Sequence, residues 1–263
     1  MTTDTERRTP RADCLADAAG AVTFDLAGGT ATDAELVLKR RGGEGERDET
    51  RLPLTPSGDG TSRAVLPETV ELAEGHWDAY AGDRPVECGI RDLRALLDRT
   101  PDTGRIAARV PYPTAGGSLA LRCWVRAPHA EAGDIGLVPE HCAMTVEGRL
   151  YGTEVGGGAA AEARLRGGDL VHRVPATGED GTFGFTLPFA PLAEASGGKD
   201  QWWDLWLVPA AGAAAVRVSR VLDDVWDRRN VFVYPKQRTE TGQFAEPCYT
   251  VDNDLCVRLT AAR

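Results

Sequence analysis

Apolar and polar residues alternate with period two in short runs along most of this chain. Val22-Thr23-Phe24-Asp25-Leu26 and Glu35-Leu36-Val37-Leu38 are such runs, and the Gly-Gly-Thr-containing turn between them predicts a hairpin. Ser62–Leu66 and residues 183–187 each follow an Asp-Gly turn, Asp59-Gly60 or Asp180-Gly181, and each ends at a proline, which has no N–H to give a strand ladder. Further strands are predicted around Trp77 and Trp203 and over 88–97, 119–125, 216–222 and 255–259. Residues 93–98 also fit a single helical turn, and the charged, Gly-rich stretch 41–51 reads as a solvated loop. No long amphipathic helix stands out, and 30 Gly and 16 Pro supply turn signals between many short strands. The expected fold is all-β: two tandem antiparallel β-sandwich domains of Ig-like architecture.

Two domains follow from an internal duplication. Asp59-Gly60-Thr61 with Leu66-Pro67 returns as Asp180-Gly181-Thr182 with Leu187-Pro188. His76-Trp77-Asp78-Ala79-Tyr80 returns as Trp202-Trp203-Asp204-Leu205-Trp206, and Arg91-x-x-Arg94 as Arg217-x-x-Arg220. Three landmarks in one order divide the chain into a polar leader over 1–12, a first repeat over 13–130 and a second over 135–263, joined through the Pro-, Ala- and Gly-containing stretch 127–134. Cys14 and Cys142, near the start of each repeat, read as one inherited strand position.

Strand parity then singles out a surface. Trp203, Leu205 and Leu207 share the better core face, which places Trp202, Asp204 and Trp206 on the opposite one. In the first repeat Trp77, Ala79 and Ala81 point inward, and His76, Asp78 and Tyr80 outward. Two rings flanking a carboxylate suit a sugar, whose apolar faces stack on aromatics while its hydroxyls need acceptors. Packing of the outward aromatics beneath a loop or between domains or subunits is the competing reading. Arg217 and Arg220 join the candidate ligand-binding set as anion-recognising groups, with ion pairing to Asp223 or Asp224 as the alternative.

Charge and composition narrow the partners. A net charge of −10 argues against nucleic acid or an anionic membrane surface. The start is polar, and no stretch approaches the roughly 18 consecutive apolar residues of a membrane span, so a cytoplasmic location without membrane insertion is expected. No metal or cofactor site is expected either. The six cysteines form no C-x-x-C pair and read as reduced, mostly buried thiols; the four histidines belong to no H-E-x-x-H; and Gly156-Gly157-Gly158 lies in an Ala-rich loop. His141 and Cys142 are adjacent, so a strand would point them to opposite faces. Asp223-Asp224 and Asp252-Asn253-Asp254 offer oxygen ligands for a cation but equally read as turns.

The closing segment, Tyr249-Thr250-Val251-Asp252-Asn253-Asp254-Leu255-Cys256-Val257-Arg258, follows a Trp-centred strand and an Arg-containing strand. This series resembles the tandem β-sandwich appendages of bacterial glycosyltransferases and glycerophosphotransferases that build wall teichoic acids and related polysaccharides. In that family the segment looks like Tyr-Tyr-Thr-x-x-Gly-Asn-Leu-Ser-Val-Lys-Val. Here Cys248 replaces the first Tyr and Asp254 is inserted before Leu255; the first repeat, with Tyr112-Pro113-Thr114 and Gly116 to Arg122, is further away. The resemblance implies a non-catalytic role in binding a glycan or small-molecule ligand, or a partner transferase, although no transferase domain accompanies these modules. The alternatives are a transferase- or cyclase-type enzyme of small-molecule biosynthesis with its site between the domains, lined by stretches such as 199–202 or 226–229, and a structural homo-oligomerisation module.

Overall fold

The computed structural model describes residues 9–28, 34–58, 60–101 and 104–261. Asp59 and the Gly29-Thr30 turn fall outside them, as do residues 1–8 of the proposed leader; its last residues, Arg11 and Ala12, already belong to a strand. The protein is mostly β. Two compact units are present, one comprising 1–101, 107–125 and 222–226, the other 102–106, 126–221 and 227–263.

The first unit carries β1 (Arg11–Ala16), β2 (Val22–Ala27), β3 (Glu35–Arg40), β4 (Glu49–Pro53), β5 (Thr55–Pro56), β6 (Ser62–Leu66), β7 (Gly75–Ala81), β8 (Arg84–Pro85), β9 (Glu87–Asp92), β10 (Ile106–Pro113) and β11 (Leu119–Arg126). They form two sheets, ordered β5-β6-β2-β1-β9 and β10-β11-β7-β3-β4, with β8 beside β7. The second unit carries β12 (His129–Val138), β13 (Ala143–Tyr151), β14 (Ala160–Leu165), β15 (Val171–Thr177), β16 (Thr182–Pro188), β17 (Gln201–Val208), β18 (Val216–Ser219), β19 (Gln237–Arg238), β20 (Phe244–Tyr249) and β21 (Leu255–Thr260), with one short helix, α1 (Ala190–Ser196). Here the order β14-β15-β16-β13-β12-β18-β17 closes on itself through β14–β17, making a seven-stranded ring from which β21, β20 and β19 extend. The second half thus differs from the expected pair of open sheets.

Two strands account for the closure. β15 pairs β14 up to Pro175 and then β16 through Ala176 and Thr177, while β18 pairs β17 through Val216 and Arg217 and then β12 through Val218 and Ser219. In the first unit each corresponding crossing is broken. β4 pairs β3 and β5 pairs β6; β8 pairs β7 and β9 pairs β1. Pro53, Pro56 and Pro85 stand at these breaks, where a missing N–H interrupts the ladder. The remaining pairings recur: antiparallel β1–β2, β2–β6, β3–β7 and β7–β11 against β12–β13, β13–β16, β14–β17 and β17–β21, and parallel β1–β9 against β12–β18.

Further expectations need correction, among them the solvated loop read over 41–51, whose last three residues, Glu49 to Arg51, pair with β3 as the start of β4. The join at 127–134 is mostly strand, because Ala130 and Ala132 on β12 are small enough to pack fully into the core of the second unit. Residues 88–97 are not one strand: β9 ends at Asp92 and a 3-10 turn runs over Arg94–Asp98. Cys14 lies within β1, whereas Cys142 sits in a left-handed conformation between a 3-10 turn and β13, so the two are not one strand position.

Candidate functional site

The alternation read around the paired tryptophans holds in β17. Trp203, Leu205 and Leu207 are buried, while Trp202 keeps 36% of its surface exposed and Asp204 and Trp206 are half-buried. β14 runs along one edge of β17; on the other edge β21 pairs with Gln201 to Asp204 and β18 with Trp206 and Leu207. β18 and β21 therefore diverge from the same edge at Leu205. A groove of about 810 Å³ opens there, and Arg126, Trp202, Asp204, Trp206, Arg217 and Asp254 are among the residues lining it.

A chain of alternating charges forms the polar framework of the groove. Asp204 accepts from Arg166 and, at 2.8 Å, from Arg217 Nη2. Arg217 Nε approaches Asp254 at 3.5 Å, and Asp254 Oδ1 also accepts from Ser219 Oγ at 2.6 Å and Arg126 Nη1 at 3.1 Å. Burial by itself would raise the Asp204 carboxyl, but hydrogen bonds from Arg166 and Arg217 outweigh it and hold the group below its ordinary value. Arg217 Nη1 is buried and has no hydrogen-bond partner among the described residues. His129 Nδ1, on another lining residue, is in the same position, while its Nε2 lies 2.7 Å from Glu131.

Guanidinium groups also attend the rings. Arg164 and Arg217 lie 4.7 and 5.3 Å from the Trp206 centroid, and Arg166 and Arg258 lie 5.3 and 5.6 Å from that of Trp202. These cation–π contacts fix the ring orientations and leave less free indole face than bare outward aromatics would offer.

Of the sequence candidates, Trp202, Asp204, Trp206 and Arg217 meet at this groove. Arg220 does not: it donates to Gly133 O and lies over Phe232. His76, Asp78 and Tyr80 lie in the first unit, where His76 Nδ1 is 2.6 Å from the Tyr112 hydroxyl, Asp78 accepts from Arg41, and Lys39 lies 5.6 Å over Tyr80. That arrangement parallels part of the groove framework. Arg41 and Arg166 each follow the residue opposite the core tryptophan, Arg40 or Leu165, and each binds the outward aspartate of its unit.

Strand pairing overturns the proposed equivalence of Arg91 and Arg94 with Arg217 and Arg220. Isolated bridges join Glu87 to Ser118 and Ser219 to Asp254, and Tyr80 opposes Pro85 as Trp206 opposes Arg217. In ladder register, Pro85 thus stands to Tyr80 as Arg217 stands to Trp206, and Ser118 to Glu87 as Asp254 to Ser219. Arg91 instead donates to Pro111 O, and Arg94 pairs with Asp92 in the 3-10 turn. Arg126, Arg166 and Asp254 were not among the sequence candidates for this site.

The Asp252-Asn253-Asp254 turn has a structural explanation. Asn253 is fully buried with a φ of 60°, and its Oδ1 accepts from Arg228 N at 3.0 Å. Asn tolerates this left-handed conformation better than other side chains that carry a Cβ. Asn253→Ala is expected to cost about 1–3 kcal/mol in chemical denaturation, through the lost acceptor and the strained φ. Among the described residues no three His, Cys, Asp or Glu side chains gather as a metal site would require. No helix among them is long and apolar enough to cross a membrane.

No family model and no curated protein matches the chain. Among solved structures, it is similar to the Staphylococcus aureus TarS crystal structure at 13% identity and a TM-score of 0.29, covering 67% of this chain and 34% of that one. The chain thus spans about a third of the length of TarS. A tetra-tandem repeat from the extending region of a large adhesion protein matches at 10% identity and TM-score 0.23, over 96% and 66% of the two chains. A chimeric titin Z1Z2 carrying a decorin peptide matches at 10% identity and 0.19, over 81% and 95%. Likeness at this level assigns no family and carries no functional argument.

Proposed function

We propose that this protein is a non-catalytic glycan-binding module, built from two duplicated β units, the first an Ig-like sandwich and the second closed into a seven-stranded ring, that takes its ligand in the groove between Trp202 and Trp206. The observation that carries the reading is the convergence, in one open groove, of two partly exposed indoles, two carboxylates held by arginines, and an arginine N–H left without a partner. Sugars need this mixture of apolar surface and fixed donors and acceptors. A framework already ordered by ion pairs loses little freedom when a ligand arrives. The recurrent strand pairings and the parallel arrangement around Asp78 support the duplication. Arg217 and Asp254 stand where the first unit has Pro85 and Ser118, so the groove adds these two groups to the aspartate–arginine pair that both units carry. The likeness of the Tyr249 to Arg258 segment to wall-polymer transferase appendages favours a bacterial polysaccharide as the ligand class.

Affinity electrophoresis or calorimetry against neutral and anionic polysaccharides tests this reading. Trp206→Ala is expected to weaken binding by about tenfold or more, the loss typical of a central aromatic anchor. Unchanged affinity in that variant, or no binding across the panel, would remove the groove from consideration.

A further inference from the structure

Cys248 on β20 and Cys256 on β21 stand directly opposite each other in the antiparallel ladder, with their Sγ atoms 3.1 Å apart. Opposed residues in such a ladder have α-carbons about 4.5–5.5 Å apart, inside the range of about 4.4–6.8 Å that disulfides span. Bond formation therefore requires an approach of the two sulfurs by about 1 Å and no change of strand register. The pair lies beside the groove: Cys256 is opposite Asp204 on its other side, and Thr250, Val251, Asp252 and Asp254, all groove-lining residues, lie between the two cysteines in sequence. We propose that Cys248 and Cys256 form a reversible cross-strand disulfide that clamps the hairpin carrying this wall of the groove.

The chemistry balances with a glutathione-type disulfide as oxidant. Cys248, the less buried of the pair, attacks one glutathione sulfur as the thiolate and expels a glutathione thiolate. Cys256 then attacks Sγ of Cys248 in the mixed disulfide and expels the second. Two protons leave the cysteines and are taken up by the two glutathione thiolates; two electrons pass to the oxidant. The hydrogen bond with Cys256 and burial both push the Cys248 thiol above its ordinary value, so little thiolate exists at neutral pH and closure is slow. The same property makes the Cys248 sulfur a poor leaving group, so reopening by attack that expels it is slow. The other four cysteines lie elsewhere: Cys14 on β1, Cys88 on β9, Cys123 on β11 and Cys142 before β13.

Oxidised glutathione applied to the folded full chain, followed by alkylation and tryptic mass mapping, tests the site directly. The expected result is a peptide spanning 239–258 that has lost two hydrogens and accepts no alkylating label, formed faster as pH rises and restored by dithiothreitol. Cys248→Ser should abolish the bridge and leave Cys256 unmodified. Glutathione retained on Cys248 without bridging, or bridging only in denaturant, would overturn the proposal. The readout is independent of any glycan, so a failure of the groove reading leaves it standing.

Discussion

Replacing Trp203 with alanine is expected to destabilise the second unit by about 3–5 kcal/mol, the usual cost of emptying a large core aromatic site, whereas Trp202→Ala next to it should cost less than about 1 kcal/mol. The adjacent residues differ only in which face of β17 they occupy. Trp203 is 1% exposed and packs in the core with Leu205, Leu207, Val257 and Leu259. Trp202 lies on the outer face between Arg166 and Arg258. A further contrast separates the two core tryptophans. Trp77 Nε1 donates to Ala73 O at 3.0 Å, but Trp203 Nε1 is buried without a partner among the described residues. Phenylalanine at position 77 thus forfeits a hydrogen bond worth about 1 kcal/mol, and phenylalanine at 203 forfeits none. Urea denaturation followed by far-UV circular dichroism would rank the four variants.

The second large effect is expected at Asp204. This carboxylate accepts from both Arg166 and Arg217, and its side chain is 22% exposed. Its removal leaves Arg217, itself only 14% exposed, without its closest acidic partner. Asp204→Asn is expected to cost about 2 kcal/mol at neutral pH, between the values for exposed and buried pairs. The pH dependence has a definite sign. A carboxyl whose folded value is depressed contributes stability above the unfolded value of about 3.9, and that contribution is lost as pH falls through the lower folded value. The wild-type protein should therefore lose stability more steeply below about pH 4 than the variant does. Denaturation midpoints that fall in parallel for the two proteins across that window would show that Asp204 is not the hub of the network.

The legibility of the structure varied with the physics of each segment. Period-two alternation located β2, β6 and β17, where one face meets the core and the other meets solvent. It failed at β12, because Ala130 and Ala132 have the composition of a linker and their burial depends on partners distant in sequence. α1 is a single short helix, seven residues long, and propensity over so few positions carries little weight. The core tryptophans were readable by strand parity, but the arginine spacing misled: equal spacing along the chain set Arg91 beside Arg217, whereas in ladder register it is Pro85 that opposes Tyr80 as Arg217 opposes Trp206. At the groove, the residues on one strand were accessible by parity, and Arg126, Arg166 and Asp254 were not, since each reaches the groove only through partners distant in sequence: Arg126 through Ser219 and Asp254, Arg166 through Asp204, and Asp254 through Ser219. The guanidinium groups over both indoles are equally a tertiary product.

Ligand is expected to enter where β18 and β21 diverge from β17. Indole N–H resonances report on each tryptophan separately, so a heteronuclear NMR titration with a polysaccharide that binds the protein tests this most directly. Shifts confined to Trp202 and Trp206, with Trp77 and Trp203 unmoved, are the predicted result. Binding that leaves the Trp202 and Trp206 resonances where they were would contradict it.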